Sequence, residues 1–332
     1  MQSINYHSEN RVAIILSTYN GEKYIGEQLE SIINQSYRNW CCYIRDDGSF
    51  DNTCVILKKY ELIDSRIKFL DDKRGNLGLN ASHYYMLSLP NENYISIADQ
   101  DDVWDPKKLN LSLKKIKEIE TKERIPALVH TNSVFVDADL GVIRDKFIGA
   151  RGLRIHLSGI IFANSVQGGS IIINKSLNDI SIKIFPVLPY DYHLGILSNL
   201  TGVRGFIPDA LLKYRQHCKS SIATANIEYN KRQAYTKLSS TLALSLSGYH
   251  HIKNDFTKAT ITEQAKKALA DYLYLFEGTS ALKKTWITVR NYYPFYRKKD
   301  FLYFIKMILT RQTLLVGPAN PPSPQNDREV LL

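Results

Sequence analysis

Between residues 12 and 137, short β-branched and aromatic runs alternate with stretches whose apolar residues recur at helical spacing. This rhythm constrains the chain more than any other feature. It is the pattern of βαβ units, whose parallel strands must be joined by crossover helices that cover the sheet. Strands are predicted at 12–17, 40–45, 66–70, 94–98 and 127–136. Between the first two, Tyr24, Ile25, Leu29, Ile32 and Ile33 recur at helical spacing. Asp51 is placed as the N-cap of a second helix. Asp105-Pro106 opens a third, with a capping residue and then Pro at the first helical position, and Leu109, Leu113 and Ile116 form its buried stripe. Residues 150–215 are mixed, with a β-rich run at 170–173 and a helix-like stretch at about 191–200. Beyond 226 the spacing is helical, and the tail from Gly317 is polar and Pro-rich, the composition of a disordered segment.

With 332 residues, 44% of them hydrophobic, the chain can bury a sizeable core. Four cysteines in such a length form neither a disulfide framework nor a CxxC metal spacing, which implies reduced thiols and a cytoplasmic location. The first apolar run, 12–16, is too short for a signal sequence, and no window holds the ~18–20 apolar residues of a membrane-spanning helix. The net charge of +10 is concentrated late, since residues 226–332 contain 16 Lys and Arg against 8 Asp and Glu. Between Lys283 and Arg311, eight basic residues and one acid, Asp300, are interleaved with Trp286, Tyr292, Tyr293, Phe295, Tyr296, Phe301, Tyr303 and Phe304. Cations with interfacial aromatics suit an anionic membrane surface. The competing reading is a helical layer packed on the rest with its charges in water. No nucleic-acid partner is expected, because no recognised module accompanies the basic stretch.

In an open α/β sheet, ligands bind beyond the carboxyl ends of the strands. Four predicted strands lead into polar loops there: Ser17-Thr18-Tyr19-Asn20-Gly21, Asp46-Asp47-Gly48-Ser49, Gly75-Asn76-Leu77-Gly78 and Asp99-Gln100-Asp101-Asp102. Three carboxylates within four residues repel one another, and a hard divalent cation removes that cost. The plainer alternative is a solvated acidic turn.

These loops, in this order, resemble the nucleotide-sugar-dependent glycosyltransferases of family 2. STYNG at 17–21 looks like that family's first-strand loop, the run Arg45 to Asp51 like its "DDGSxD", Asn76-Leu77-Gly78 like its "NxG", and Asp99 to Trp104 (DQDDVW) like its DxD-type motif. Further on, NSVQGGSIII at 164–173 is similar to an acceptor-side stretch, PYDYHL at 189–194 to the catalytic acidic segment, and YRQH at 214–217 to the run that follows it. The resemblance covers residues 12 to about 222. Two departures stand out. Asn80-Ala81-Ser82 lies where many relatives carry Arg or Lys after NxG, and Tyr190 and Tyr192 flank Asp191 where Glu-Asp or His-Asp-Trp is commoner.

The resemblance implies a GT-A fold, α/β and Rossmann-like, with a mainly parallel central sheet flanked by helices and a C-terminal helical region. Its catalytic domain would span 1–225, with a nucleotide-sugar half at about 10–137 and an acceptor half at about 138–225. A basic, aromatic-rich helical region at 226–316 and a disordered tail at 317–332 would follow. The implied activity is inverting, metal-dependent transfer of a sugar from a UDP-, dTDP- or GDP-linked donor to a lipid-linked glycan acceptor of O-antigen or surface-polysaccharide synthesis. It would take place in the cytoplasm, on the inner face of the membrane. Asp191 is then the catalytic base. Thr18, Asn20, Asp47, Asn76, Asp99 and Asp102 bind the nucleotide sugar, with Asp46 as the structural neighbour of Asp47. Asp101, Asp99 and His217 hold Mn²⁺ or Mg²⁺, while Gly168, Gly169, Trp104 and Tyr192 serve the acceptor. A sugar nucleotidyltransferase and a non-catalytic glycan- or nucleotide-binding module are the alternatives.

Overall fold

A computed structural model describes residues 10–121, 123–147, 160, 164–183, 189–217, 274 and 280–292. One nine-stranded mixed sheet organises them, in the order β3-β2-β1-β4-β8-β6-β9-β5, with β7 paired to β6. The strands are β1 (Val12–Thr18), β2 (Trp40–Asp46), β3 (Ile67–Leu70), β4 (Tyr94–Ala98), β5 (Val103–Trp104), β6 (Ala127–Val136), β7 (Val142–Arg144), β8 (Ile171–Asn174) and β9 (Val203–Arg215). Pairing is parallel across β3-β2-β1-β4 and between β6 and β9, whereas β8 runs antiparallel to both β4 and β6. The helices are α1 (Ile25–Ile33), α2 (Thr53–Ile63), α3 (Leu79–Leu87), α4 (Lys108–Ile119), α5 (Lys175–Ser181), α6 (Tyr190–Thr201) and α7 (Ala281–Tyr292). The two expected halves thus share one sheet, because β8 is inserted between β4 and β6.

All five predicted strands, and the β-rich run at 170–173, fall within a residue of their observed ends. Strands β5, β7 and β9, and helices α3 and α5, were not expected from spacing. Val12, Ile14 and Leu16 of β1 turn one face toward Ile25, Leu29 and Ile32 of α1 and Leu109, Leu113 and Ile116 of α4, all in one buried cluster. Each such aliphatic side chain contributes about 1.5–3 kcal/mol when fully buried. Helix α4 starts two residues after Pro106, because Asp105 Oδ1 accepts from Lys107 N at 2.8 Å and closes a turn first. The N-cap of α2 is Asn52 rather than Asp51, which braces the turn from one position earlier by accepting from Thr53 N at 3.0 Å.

The expected basic region is described only at residue 274 and over 280–292. There α7 leaves Leu282 and Trp286, one turn apart, exposed and buries Ile287. The rest of the Lys283–Arg311 segment, the tail and the expected domain boundaries at 225 and 316 lie outside the described residues. No helix among the described residues is long and apolar enough to cross a membrane.

Candidate active site

The strand order β2-β1-β4 places the switch in the direction of sheet growth at β1 and β4, and the loops that leave these strands meet there. Gln100 joins them, accepting from Tyr19 N at 2.9 Å and donating to Tyr19 O at 3.1 Å. The β2 loop docks on the same edge. Asn20, at φ 48°, accepts from Phe50 N at 3.0 Å through Oδ1, while its own N–H donates to Ser49 Oγ at 2.7 Å. Gly48 turns this loop at φ 86°, which is accessible to glycine at little cost.

The polar groups expected to line the nucleotide are largely engaged by the protein itself. Thr18 is buried and donates to Asp46 Oδ1 at 2.9 Å. Asp46 also accepts from Gly48 N and Ser49 N, which makes it the brace of its turn. Asp47 is only 4% exposed, is paired with the buried Arg45, and accepts from Leu77 N at 2.7 Å and Gly78 N at 2.9 Å. It therefore ties the NxG loop to β2. Asn76 remains exposed, near Gly48 of the β2 loop, and Tyr19 and Phe50, also exposed, make edge-to-face contact with one another. Arg45, to which the family resemblance assigns no role, is the hub: it also donates to Asp72, Gly75 O and Ser82 Oγ.

After β4 the three carboxylates part company. Asp101, partly exposed, meets His217 Nε2 at 2.7 Å, and the His217 ring lies 4.8 Å from that of Tyr24. Arg215 holds this arrangement in place, donating from Nε to Asp101 O at 2.8 Å and from its backbone N–H to Asp102 Oδ1 at 3.1 Å. Strand β9 makes this possible, since its pairing with β5 sets Lys213 against Val103. Asp99 turns away from His217 and accepts from Gly169 N at 2.9 Å and from the Tyr190 hydroxyl at 3.2 Å. Asp102 is fully buried, and burial raises its carboxyl well above the ordinary range, with repulsion from Asp101 and Asp99 adding to it. Beneath it, the buried Lys108 stands 3.5 Å over the Trp104 ring, its ammonium lowered to about 7 by desolvation.

This geometry corrects several expectations. Asp102 lies too deep to touch a nucleotide. Gly168 and Gly169 are buried supports rather than an acceptor surface, and a Cβ on Gly169 would stand 2.8 Å from Asp102 and 2.9 Å from Asp99. Trp104 and Tyr192, at 2% and 4% exposure, pack inward and offer no face for a sugar to stack on. Among the described residues no group of three His, Cys, Asp or Glu side chains is gathered for a metal ion. Asp101 and His217 alone come together, a carboxylate oxygen and an imidazole nitrogen. That pair fits a divalent cation which takes its remaining ligands from substrate phosphates and water.

Asp191 sits in the first turn of α6, next in sequence to the Tyr190 that reaches the acidic loop. Asn164 Nδ2 donates to its Oδ2 at 2.9 Å and Tyr192 N to its Oδ1 at 2.7 Å. Burial pushes its carboxyl up to about 6, against the pull of those two bonds. A carboxyl raised toward neutrality and held by two hydrogen bonds suits general-base work. Asn80, in the first of the two departures from the family pattern, accepts from Tyr190 N at 3.2 Å and so helps to anchor the start of α6.

The family model "Glycosyl transferase family 2" matches residues 13–166. A glucosyltransferase of Escherichia coli, WfgD, described as UDP-Glc:alpha-D-GlcNAc-diphosphoundecaprenol beta-1,3-glucosyltransferase, is 34% identical over 231 residues, covering 67% of this chain and 83% of that protein. An uncharacterized glycosyltransferase of Haemophilus influenzae is 28% identical over 229 residues, 66% of this chain and 70% of its own. Among solved structures, S. aureus TarS 1-349 in complex with UDP-GlcNAc superposes with a TM-score of 0.51 at 17% identity, covering 90% of this chain and 91% of that one. At that identity the likeness concerns the fold.

Proposed function

The chain belongs to glycosyl transferase family 2 and is a glycosyltransferase of GT-A fold; from that premise we propose an inverting, metal-assisted transfer from a nucleoside-diphosphate sugar to a lipid-linked glycan of surface-polysaccharide synthesis. Family membership displaces the nucleotidyltransferase and binding-module alternatives. The observation that carries the reading is the link Tyr190 makes between two acidic sites: its hydroxyl donates to Asp99 of the loop where Asp101 meets His217, and the next residue is Asp191, at the start of α6.

An acceptor hydroxyl is a weak nucleophile until its proton is removed, and in an inverting displacement the base stands opposite the leaving group. Asp191 takes that proton on Oδ1 or Oδ2, oriented by Asn164 and the Tyr192 N–H. Asn76, Tyr19 and Phe50 are left at the rim to meet the nucleotide, while Asp47, Thr18 and Asn20 shape the loops that present them. Asp101 and His217 would hold Mn²⁺ or Mg²⁺, which supplies Lewis-acid stabilisation of the charge developing on a departing diphosphate. The lipid-linked acceptor rests on the likeness to WfgD, whose description names a diphosphoundecaprenol-linked acceptor.

The test is incubation of the full chain with UDP-, dTDP- and GDP-sugars, Mn²⁺ and a diphospholipid-linked glycan, with the anomeric configuration of the product read by NMR. Inversion with release of nucleoside diphosphate is expected. Retention of configuration, or no transfer from any donor, would overturn the reading.

A further inference from the structure

The acceptor side of the sheet holds a cation that the proposed chemistry does not use. Arg204 of β9 is 8% exposed, and no acidic side chain of the described residues pairs with it. Its Nη1 donates to Ser165 Oγ at 3.4 Å, while Nε and Nη2 have no hydrogen-bond partner among the described residues. Those two nitrogens form one edge of the guanidinium, the edge whose parallel N–H bonds match two oxygens of a phosphate or carboxylate. Leaving that edge buried and empty is costly, and burial alone lowers the group to about 9.

Among the described residues the surroundings supply donors and no acidic partner. Gln167, two residues beyond Ser165, gives its Oε1 to Ser133 Oγ at 2.6 Å and keeps Nε2 without a partner among the described residues. The 164–167 stretch therefore faces β9 through Ser165 and β6 through Gln167. His130 of β6 lies opposite Phe206, on the face of the sheet that Arg204 shares, and neither of its ring nitrogens is bonded among the described residues. It is neutral, since burial drives its pKa well below the usual value and Arg204 adds to the effect. Asn164, the neighbour of Ser165, is the residue that orients Asp191.

From this we infer that Arg204, with Gln167 and Ser165, forms an oxyanion subsite behind the base that takes a phosphate or carboxylate group of the acceptor. The inference rests on the acceptor lying on the Asp191 side of the site. The Nε–Nη2 edge grips two oxygens of the anion and Gln167 Nε2 donates to it, so an acidic acceptor is held while a neutral one gains nothing there. Charge-assisted hydrogen bonds of this kind contribute about 1.5–3 kcal/mol, or roughly 10- to 100-fold in affinity.

The experiment is titration of the full, metal-free chain with inorganic pyrophosphate and, separately, with glucuronate, followed by calorimetry and by thermal unfolding. Comparison is with Arg204→Met, and with Gln167→Glu as a second variant that keeps Arg204 in place. Expected is saturable binding of one of the two probes, weakened at least about tenfold by either variant. Pyrophosphate binding would identify a phosphate-bearing acceptor, and glucuronate binding an acidic sugar. Arg204→Met should also unfold at a temperature no lower than wild type without ligand, because it removes an unpaired buried charge. Binding unchanged by both variants, or no binding of either anion by wild type, would overturn the subsite. The readout needs no turnover, so it separates failure of this site from failure of the transfer reaction.

Discussion

The Tyr190 hydroxyl donates to Asp99 Oδ1 at 3.2 Å, and the next residue along the chain is Asp191. One side chain thus links the donor loop after β4 to the start of the helix that carries the proposed base. Its ring stacks on His83 at 4.0 Å, which fixes the direction of the hydroxyl. Tyr190→Phe keeps the stack and removes the link. We expect kcat to fall about tenfold, the size of one lost hydrogen bond to a charged group, with the unfolding temperature nearly unchanged. Steady-state kinetics beside a melting curve check this, and an unchanged kcat would remove Tyr190 from any positioning role.

Asp191 makes a pH-dependent pair of predictions. As the base it must be ionised, so kcat should decline as pH falls through about 6, and Asp191→Asn should lose turnover while binding donor normally. Its stability effect has the opposite sign. The native carboxyl keeps its proton to about 6 while an unfolded one releases it near 3.8, so the native state binds more protons between these values and wild-type stability falls as pH rises through that window. Above it, Asp191→Asn should be the more stable protein, by at most about 3 kcal/mol, and the difference should vanish below about pH 4. Urea titrations at pH 4 and pH 8 measure both ends.

Metal dependence follows from Asp101 and His217. Chelation should abolish transfer and Mn²⁺ or Mg²⁺ restore it, with Asp101→Ala losing ~10²-fold or more in turnover. His217→Ala should shift the metal titration to higher concentration while leaving the far-UV spectrum intact. Full activity in excess EDTA would sink the metal-assisted reading.

Trp104 is a core residue, and its replacement should read as a stability defect. Trp104→Ala is expected to cost about 3–5 kcal/mol by denaturant unfolding, the range for truncating a buried aromatic. A loss below 1 kcal/mol would mean that the indole is not packed as described.

The exposed pair Leu282 and Trp286 on α7 and the cations that follow in sequence predict attachment to anionic vesicles. Each Lys or Arg near such a surface contributes about 1 kcal/mol, and salt should weaken that part alone. Changing Arg297, Lys298 and Lys299 to Gln should reduce co-sedimentation with vesicles containing anionic lipid. Equal sedimentation of variant and wild type would favour the packed-helix alternative.

Local pattern alone carried the sequence far in the first half of the chain. Strands at 94–98 and 127–136 match β4 and β6 end for end, because a run of β-branched residues between polar loops is a one-dimensional signal. The same logic placed the loops after β1, β2 and β4 together, since a parallel sheet delivers successive carboxyl ends to one edge. It could not say which carboxylate in Asp99-Gln100-Asp101-Asp102 faces solvent. That was decided by β9, whose pairing with β5 and β6 brings Arg215 and His217 to the acidic loop from more than a hundred residues away. Trp104 and Tyr192 went astray for the same reason: an aromatic beside a motif looks alike in sequence whether it faces ligand or core, and only packing against distant elements settles its side. Arg204 gave no signal at all in the sequence, because a buried cation whose Nε and Nη2 find no partner among the described residues is recognisable only once the chain has folded around it.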